Sequence, residues 1–330
     1  MYKRQAKQRL IEALDGKRKA NSLNQVNEIF VNFSSYPYFE EDKQREMIDK
    51  ITLKDIQSIR DKLLSKATSV RALSVGNFTD NQVKNIISEL EKTAKNNNSE
   101  LAKYRYLDIN QSTKKLNAIK FVPNEDNALS IAYMAKGYDE LAGEVRAMLL
   151  KDIISRWYFD DLRTNKQLGY VVYATQAKVG KTSGIRFMVQ SPNTSPKGIM
   201  QHNERFFAES LQKLTALSES EFDQFKESLL NKLERKPESL SQEFENFSFD
   251  YARGNQLFDR KEKLMQAVKN LMKNDILEFY QNAVIEQQGL VFISQALGTK
   301  TKAEDAISLQ GFEKVENVEE LQKAFEVKFY

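Results

Sequence analysis

Apolar residues recur at helical spacing through most of the first third of the chain, and they predict a run of helices there. Residues 1–20 read as a helix in mid-course, with Leu10, Ile11 and Leu14 on one stripe, which predicts a chain that starts part-way through a longer protein. Thr52 opens a helix, TLKDIQSIRDKLLSKA, in which Asp55 can return the N-cap bond and Leu53, Ile56, Ile59, Leu63 and Leu64 share a face. VRALSVGNF (70–78) alternates as a short strand does, and a helix from Asp80 to Lys95 follows, carrying Val83, Ile86, Ile87 and Leu90. Residues 95–115 mix turn formers with charges and predict an interdomain linker.

The pattern then restarts. LNAIKFV (116–122) and ALSIAYMAKG (128–137) read as strands joined through the turn formers of PNEDN, and an amphipathic helix runs from Asp139 to Tyr158. LGYVVYATQAKV (168–179) and GIRFMVQS (184–191) form a strand pair around GKTSG. Helices are predicted over 197–216, 218–235, 239–252 and 260–285, then a strand GLVFISQAL (289–297) and a short helix near Val318 to Phe325. Strands that pair as hairpins and helices grouped in runs predict an α+β fold whose antiparallel-rich sheet is covered by helices on one face.

Composition narrows the chemistry. A chain of 330 residues with 41% hydrophobic and 10% aromatic side chains can fill cores for roughly two domains. Its net charge of +4 comes from signs that alternate along the sequence, so a pI of 8.8 describes a solvated surface and predicts no nucleic-acid partner. No apolar run approaches the ~18 residues of a membrane span, and the charged start has no apolar core of a signal peptide. With no Cys there is no thiolate nucleophile, disulfide framework or cysteine metal site, and with His202 as the only imidazole no site of two or three histidines exists. The chain is therefore expected to hold no metal itself.

Most motif candidates are weak. GKTSG (180–184) ends like a phosphate loop, but Thr175 stands where that motif needs Gly, and a strand follows where it needs a helix, so a hairpin turn is the better reading. His202 has no second imidazole beside it and reads as a surface or packing residue. There is no Gly-x-Ser-x-Gly elbow, and Glu40, Glu41 and Asp42 read as a solvated face. The run WYFDDLRTNKQLGYVVY (157–173) differs, because it sets an Arg and a Tyr at a helix-to-strand junction, where loops present functional groups from a rigid base. A guanidinium there can hold a carbonyl or carboxylate and a phenol can donate to an oxyanion. The same residues also suit an interior aromatic strand whose Arg caps the preceding helix.

This run resembles the pitrilysin family of inverse-zincin metallopeptidases, which includes insulin-degrading enzyme. Phe159, Leu162, Arg163, Thr164, Gln167, Leu168, Gly169 and Tyr170 match its F-x-x-L-R-T-x-x-Q-L-G-Y run; FMVQS (187–191), RGN (253–255), FDR (258–260), QQGLVFISQALG (287–298) and GFEKVENVEELQ (311–322) follow in the order of the bacterial members.

The resemblance implies four related α+β domains closing as a clamshell around a chamber that holds peptides, with one zinc bound by H-x-x-E-H and a distal Glu in the first domain. Residues 1–112 would then be the end of the third domain and 113–330 the fourth, a C-terminal fragment that is inert alone and partners the N-terminal half of the same polypeptide and its peptide substrates. By resemblance Arg163 binds substrate carbonyls, Tyr170 hydrogen-bonds the substrate near the tetrahedral oxyanion, and Phe159 walls the pocket after the cleaved bond. Bacterial members imply a periplasmic location. The same family also contains non-catalytic structural or peptide-holding subunits, an alternative that the upstream sequence would decide. A helical scaffold for acidic partners rests on the pI alone.

Overall fold

The computed structural model describes residues 2–66, 72–93 and 103–330. Five helices lead: α1 (Tyr2–Arg18), α2 (Ser22–Ser34), α3 (Glu41–Lys50), α4 (Leu53–Lys66) and α5 (Asp80–Thr93). Strands β1 (Arg105–Asp108), β2 (Lys115–Phe121) and β3 (Asn127–Met134) precede α6 (Glu140–Tyr158), after which come the hairpin β4 (Val171–Val179) and β5 (Thr182–Ser191). Helices α7 (Pro196–Ala216), α8 (Glu219–Glu234), α9 (Leu240–Ala252), α10 (Arg260–Lys269) and α11 (Lys273–Tyr280) follow, then β6 (Val291–Leu297), β7 (Glu313–Val315), α12 (Val318–Gln322) and β8 (Glu326–Phe329).

The α+β class holds. A six-stranded sheet runs in the order β4-β5-β3-β6-β2-β7, antiparallel from β4 to β6 and parallel from β6 through β2 to β7. Two expectations about it fail. β2 and β3 are not a hairpin: β6 inserts between them, pairing Leu116 with Phe292 on one edge and Ala128 with Ala296 on the other. Nor is the sheet covered on one face only. In β3, Leu129, Ile131 and Tyr133 pack with α6, α7 and α11, while Ala132 and Met134 turn to the opposite face against Phe30 and Phe33 of α2. An apolar run with period 2 on both sides needs two lids, and α2 is the second. Its buried Leu23, Val26, Phe30 and Phe33 recur at helical spacing, and the Asn21 side chain caps its start by accepting from Asn24 N at 2.8 Å.

The predicted Thr52 cap forms: Thr52 N donates to Asp55 Oδ2 at 2.7 Å, and Asp55 N donates to Thr52 Oγ1 at 3.3 Å. Leu53, Ile56 and Ile59 of that helix face outward, as do Val83, Ile86 and Ile87 of α5.

Three further readings change. Val70 and Arg71 of the expected strand lie outside the described residues, and 72–78 form no strand; among the described residues nothing pairs with them, and an unpaired strand leaves its backbone groups unsatisfied. The first part of the expected linker, 95–102, also lies outside the described residues, but its far end is no linker: β1 pairs with β8, Arg105 opposite Phe329, and Ile109 is buried. The helix expected over 260–285 breaks at Asn270, because Asp275 accepts from Met272 N at 2.8 Å and starts a new helix there.

Candidate functional site

Helix α6 starts where Asp139 Oδ1 accepts from Ala142 N at 2.8 Å, and it ends buried, with Tyr158 donating its phenol to Asn203 Oδ1 at 2.8 Å. The α-helix does not reach Arg163. Residues Phe159–Asn165 widen into a π turn, closed by Lys166 N donating to the Asp161 carbonyl and Leu168 N to the Leu162 carbonyl, each at 3.0 Å. Leu162 and Leu168 are sunk in the core and fix both ends of this turn.

Gln167 sits at φ +51°, and Gly169 then passes so close to β5 that a Cβ there would lie 1.9 Å from the Gln190 carbonyl oxygen. Ser191 Oγ ties the segment down by donating to the Leu168 carbonyl. The anchored turn leaves Phe159 46% and Tyr170 54% exposed, with Arg163 half-buried.

No hydrogen bond, ion pair or ring contact links Phe159, Arg163 and Tyr170 to one another among the described residues; what they share is one rigid connection. The guanidinium of Arg163 has no partner among the described residues, so it does not cap α6, and Lys166 is the cation that pairs locally, with Asp161 at 2.7 Å. The interior-strand alternative fails as well: in β4 Val172 and Ala174 point inward while Tyr173 is exposed, and Tyr170, just before the strand, is exposed too. The Tyr170 phenol donates to Asp126 Oδ2 and accepts from Gln190 Nε2. Its ionisation is pushed above the ordinary tyrosine range, chiefly by the bond to Asp126 and then by burial and the Asp126 charge, with Gln190 opposing. Sequence reasoning missed both partners, although Gln190 lies within the FMVQS run.

The same backbone device occurs twice. After α11 the chain again widens into a π turn (Gln281–Ile285), passes through Gln287 at φ +52°, and reaches Gly289, where a Cβ would lie 2.0 Å from the Met134 carbonyl oxygen before β6 begins. Here Phe279, Ala283 and Leu290 hold the places of Phe159, Arg163 and Tyr170, and all three are buried. One copy fills the core, and the other turns an aromatic, a cation and a phenol outward.

The remaining candidates have ordinary roles. Gly180 and Lys181 turn the β4–β5 hairpin, and Lys181 Nζ lies 5.4 Å and 5.6 Å from the ring centroids of Tyr106 and Tyr330. His202 lies on α7, its ionisation pushed down by burial and then by the charges of Lys166 and Arg205. Among the described residues no group of three or more acidic or imidazole side chains is placed to hold a metal, so a zinc ion finds no donor set there. No helix among them is long and apolar enough to cross a membrane.

Residues 149–248 match the model for the C-terminal lobe domain 4 of PqqF-like PQQ synthase. Protease 3 of Escherichia coli K12 is 30% identical over 321 residues, covering 97% of this chain and 33% of the relative. The Drosophila melanogaster insulin-degrading enzyme is 30% identical over 136 residues, 41% of this chain and 14% of its own. The crystal structure of pitrilysin superposes with a TM-score of 0.92 at 28% identity, covering 99% of this chain and 35% of that one. The periplasmic protease PqqL of Escherichia coli shares the fold, with a TM-score of 0.59 at 13% identity over 90% of this chain and 33% of that one. The chain thus spans about a third of the curated relatives it matches along its whole length. It belongs to the M16, insulinase-like peptidase family and matches the C-terminal half of its pitrilysin-type members.

Proposed function

We propose that this chain is the C-terminal part of a periplasmic zinc endopeptidase that cuts peptides inside a closed chamber, with residues 1–112 ending its third domain and 113–330 forming its fourth. The metal, bound by the N-terminal half of the same polypeptide, would polarise the scissile carbonyl and activate water. The residues of this chain bind and orient the peptide. Arg163 offers an unpaired guanidinium fork to substrate carbonyls, Phe159 gives an apolar wall beside it, and Tyr170 donates toward the oxygen on which charge develops.

The observation that carries this reading is the contrast between the two copies of the turn: a core-filling copy needs Phe279, Ala283 and Leu290 inside, whereas Phe159, Arg163 and Tyr170 leave the protein at the same backbone positions. Leaving two large rings about half exposed forgoes about 1 kcal/mol of burial each, which selection for folding alone does not favour.

Metal content and fluorogenic-peptide hydrolysis test the proposal on the 330-residue chain alone and mixed with the upstream half. The chain alone is expected to bind no zinc and cut nothing, and the mixture to cut peptide, with Arg163→Ala losing most of that activity. Hydrolysis by the chain alone, or full activity of the Arg163→Ala mixture, contradicts it. An inert mixture that still binds peptide would instead identify a non-catalytic, peptide-holding subunit.

A further inference from the structure

Three strand ends converge on the Tyr170 phenol. Val171, next after Tyr170, stands opposite Gln190 in the β4–β5 register, and Asn127, next after Asp126, stands opposite Ser191 in the β3–β5 register. The topology thus sets a phenol, an amide and a carboxylate side by side from three separate stretches of chain. Gln190 Nε2 donates both to the phenol oxygen and to Asp126 Oδ2, the latter at 2.7 Å, while the phenol donates to the same Oδ2. Helix α2 closes the arrangement from behind. Ser22 Oγ, fully buried, donates to the Asp126 carbonyl at 2.6 Å, and Leu23 N donates to Gln190 Oε1 at 3.4 Å.

A phenol has one proton to give. While Asp126 accepts it, Tyr170 has no donor left for a peptide carbonyl, so the structure shows a resting arrangement. We propose that Asp126 and Gln190 are positioning residues that park the Tyr170 phenol: Asp126 is the partner that lets go when substrate arrives, and Gln190 is the donor that stays on the oxygen as the phenol turns. The exchange forms and breaks hydrogen bonds only. Asp126 is not stranded by it, because the second proton of Gln190 Nε2 and nearby solvent remain available to its carboxylate. Room for the turn exists, since Tyr170 is largely exposed. A donor held on the phenol oxygen also makes the phenol a stronger donor in its turn, so Gln190 favours the bond to substrate.

This inference rests on Tyr170 being a substrate contact, and its test separates the two ideas. A carboxylate acceptor stabilises the neutral phenol, whereas an amide donor stabilises the phenolate. Asp126 is the charged group that bears on Tyr170, and Gln190 is the opposing donor. Ring-labelled tyrosine signals of the chain are followed through an alkaline titration, with Tyr170 assigned by its loss in Tyr170→Phe. Asp126→Asn should move the Tyr170 midpoint down and Gln190→Ala should move it up, the other tyrosine signals keeping their positions. Shifts of the same sign in both variants, or none in either, overturn the parking arrangement.

In the full-length parent enzyme, Asp126→Asn should raise kcat/KM by about two- to fivefold, because substrate no longer competes with a charged acceptor, while Gln190→Ala lowers kcat by about tenfold. Loss of activity in both variants overturns the proposal in favour of a merely structural role. If the titration shifts appear but Tyr170→Phe leaves turnover unchanged, the substrate-contact reading fails and the parking arrangement stands. If the shifts are missing while Tyr170→Phe abolishes turnover, the reverse holds.

Discussion

Arg186 of β5 is buried and donates through Nε to Ser130 Oγ of β3 at 2.6 Å, a bond across adjacent strands that aims the guanidinium at α2. There Nη1 donates to Asn27 Oδ1 at 2.8 Å, Nη2 to the Val26 carbonyl at 3.4 Å, and the Phe30 ring lies 4.6 Å away. No carboxylate pairs with it among the described residues, and burial pushes its ionisation down to about 10. Hydrogen bonds and a ring face therefore hold this cation, and with it α2.

Replacing Arg186 with Met should cost about 2–3 kcal/mol in urea unfolding, because Ser130, Asn27 and the Val26 carbonyl lose their donor. Arg186→Lys should not restore the loss, since a single ammonium cannot serve three acceptors in fork geometry. An unchanged unfolding midpoint in Arg186→Met would falsify the role given to it.

Glu144 gives a pH-dependent case. Burial pushes its ionisation up, but Lys178, 2.9 Å from Oε2, and Arg260 on Oε1 outweigh burial and set it below the usual carboxylate range. A depressed folded-state value means stability present above the unfolded value and lost as pH falls through the folded one. Glu144→Gln should therefore cost about 3 kcal/mol near pH 7 and progressively less below about pH 4. A cost that stays constant across that range would show that the carboxylate charge is not what matters.

The two tight glycines should separate stability from function. Gly289→Ala drives a Cβ onto the Met134 carbonyl between buried strands and should lower Tm by more than Gly169→Ala, which displaces the chain leading into the edge strand β4. Gly169→Ala should instead weaken peptide turnover of the parent by displacing Tyr170. Thermal scans and peptide kinetics on both variants check this, and equal Tm losses with equal turnover would oppose it.

Much of this was legible in the sequence where the signal is local. The capped helix from Asp139, the hairpin around Gly180 and the Thr52 box all depend on residues within a few positions of each other. What stayed hidden is non-local. Nothing in LNAIKFV and ALSIAYMAKG reveals that β6, far along the chain, will lie between them. The role of α2 was readable in principle, since Leu23, Val26, Phe30 and Phe33 form a stripe too apolar for a solvated helix, and both-sided apolar runs in β3 and β6 demand a second lid. For the site, Arg163, Tyr170 and Phe159 came from one contiguous run, whereas Asp126 and Gln190 join it only through strand register.

The central claim is that Tyr170 acts on the reacting carbonyl of a peptide. It is tested most directly by kcat and KM of Tyr170→Phe in the full-length parent enzyme, where the phenyl ring keeps the packing and only the donor is lost. The account predicts a fall in kcat on the order of 10²-fold with KM changed less than about threefold, as for a donor that acts mainly in the transition state. An unchanged kcat would contradict it.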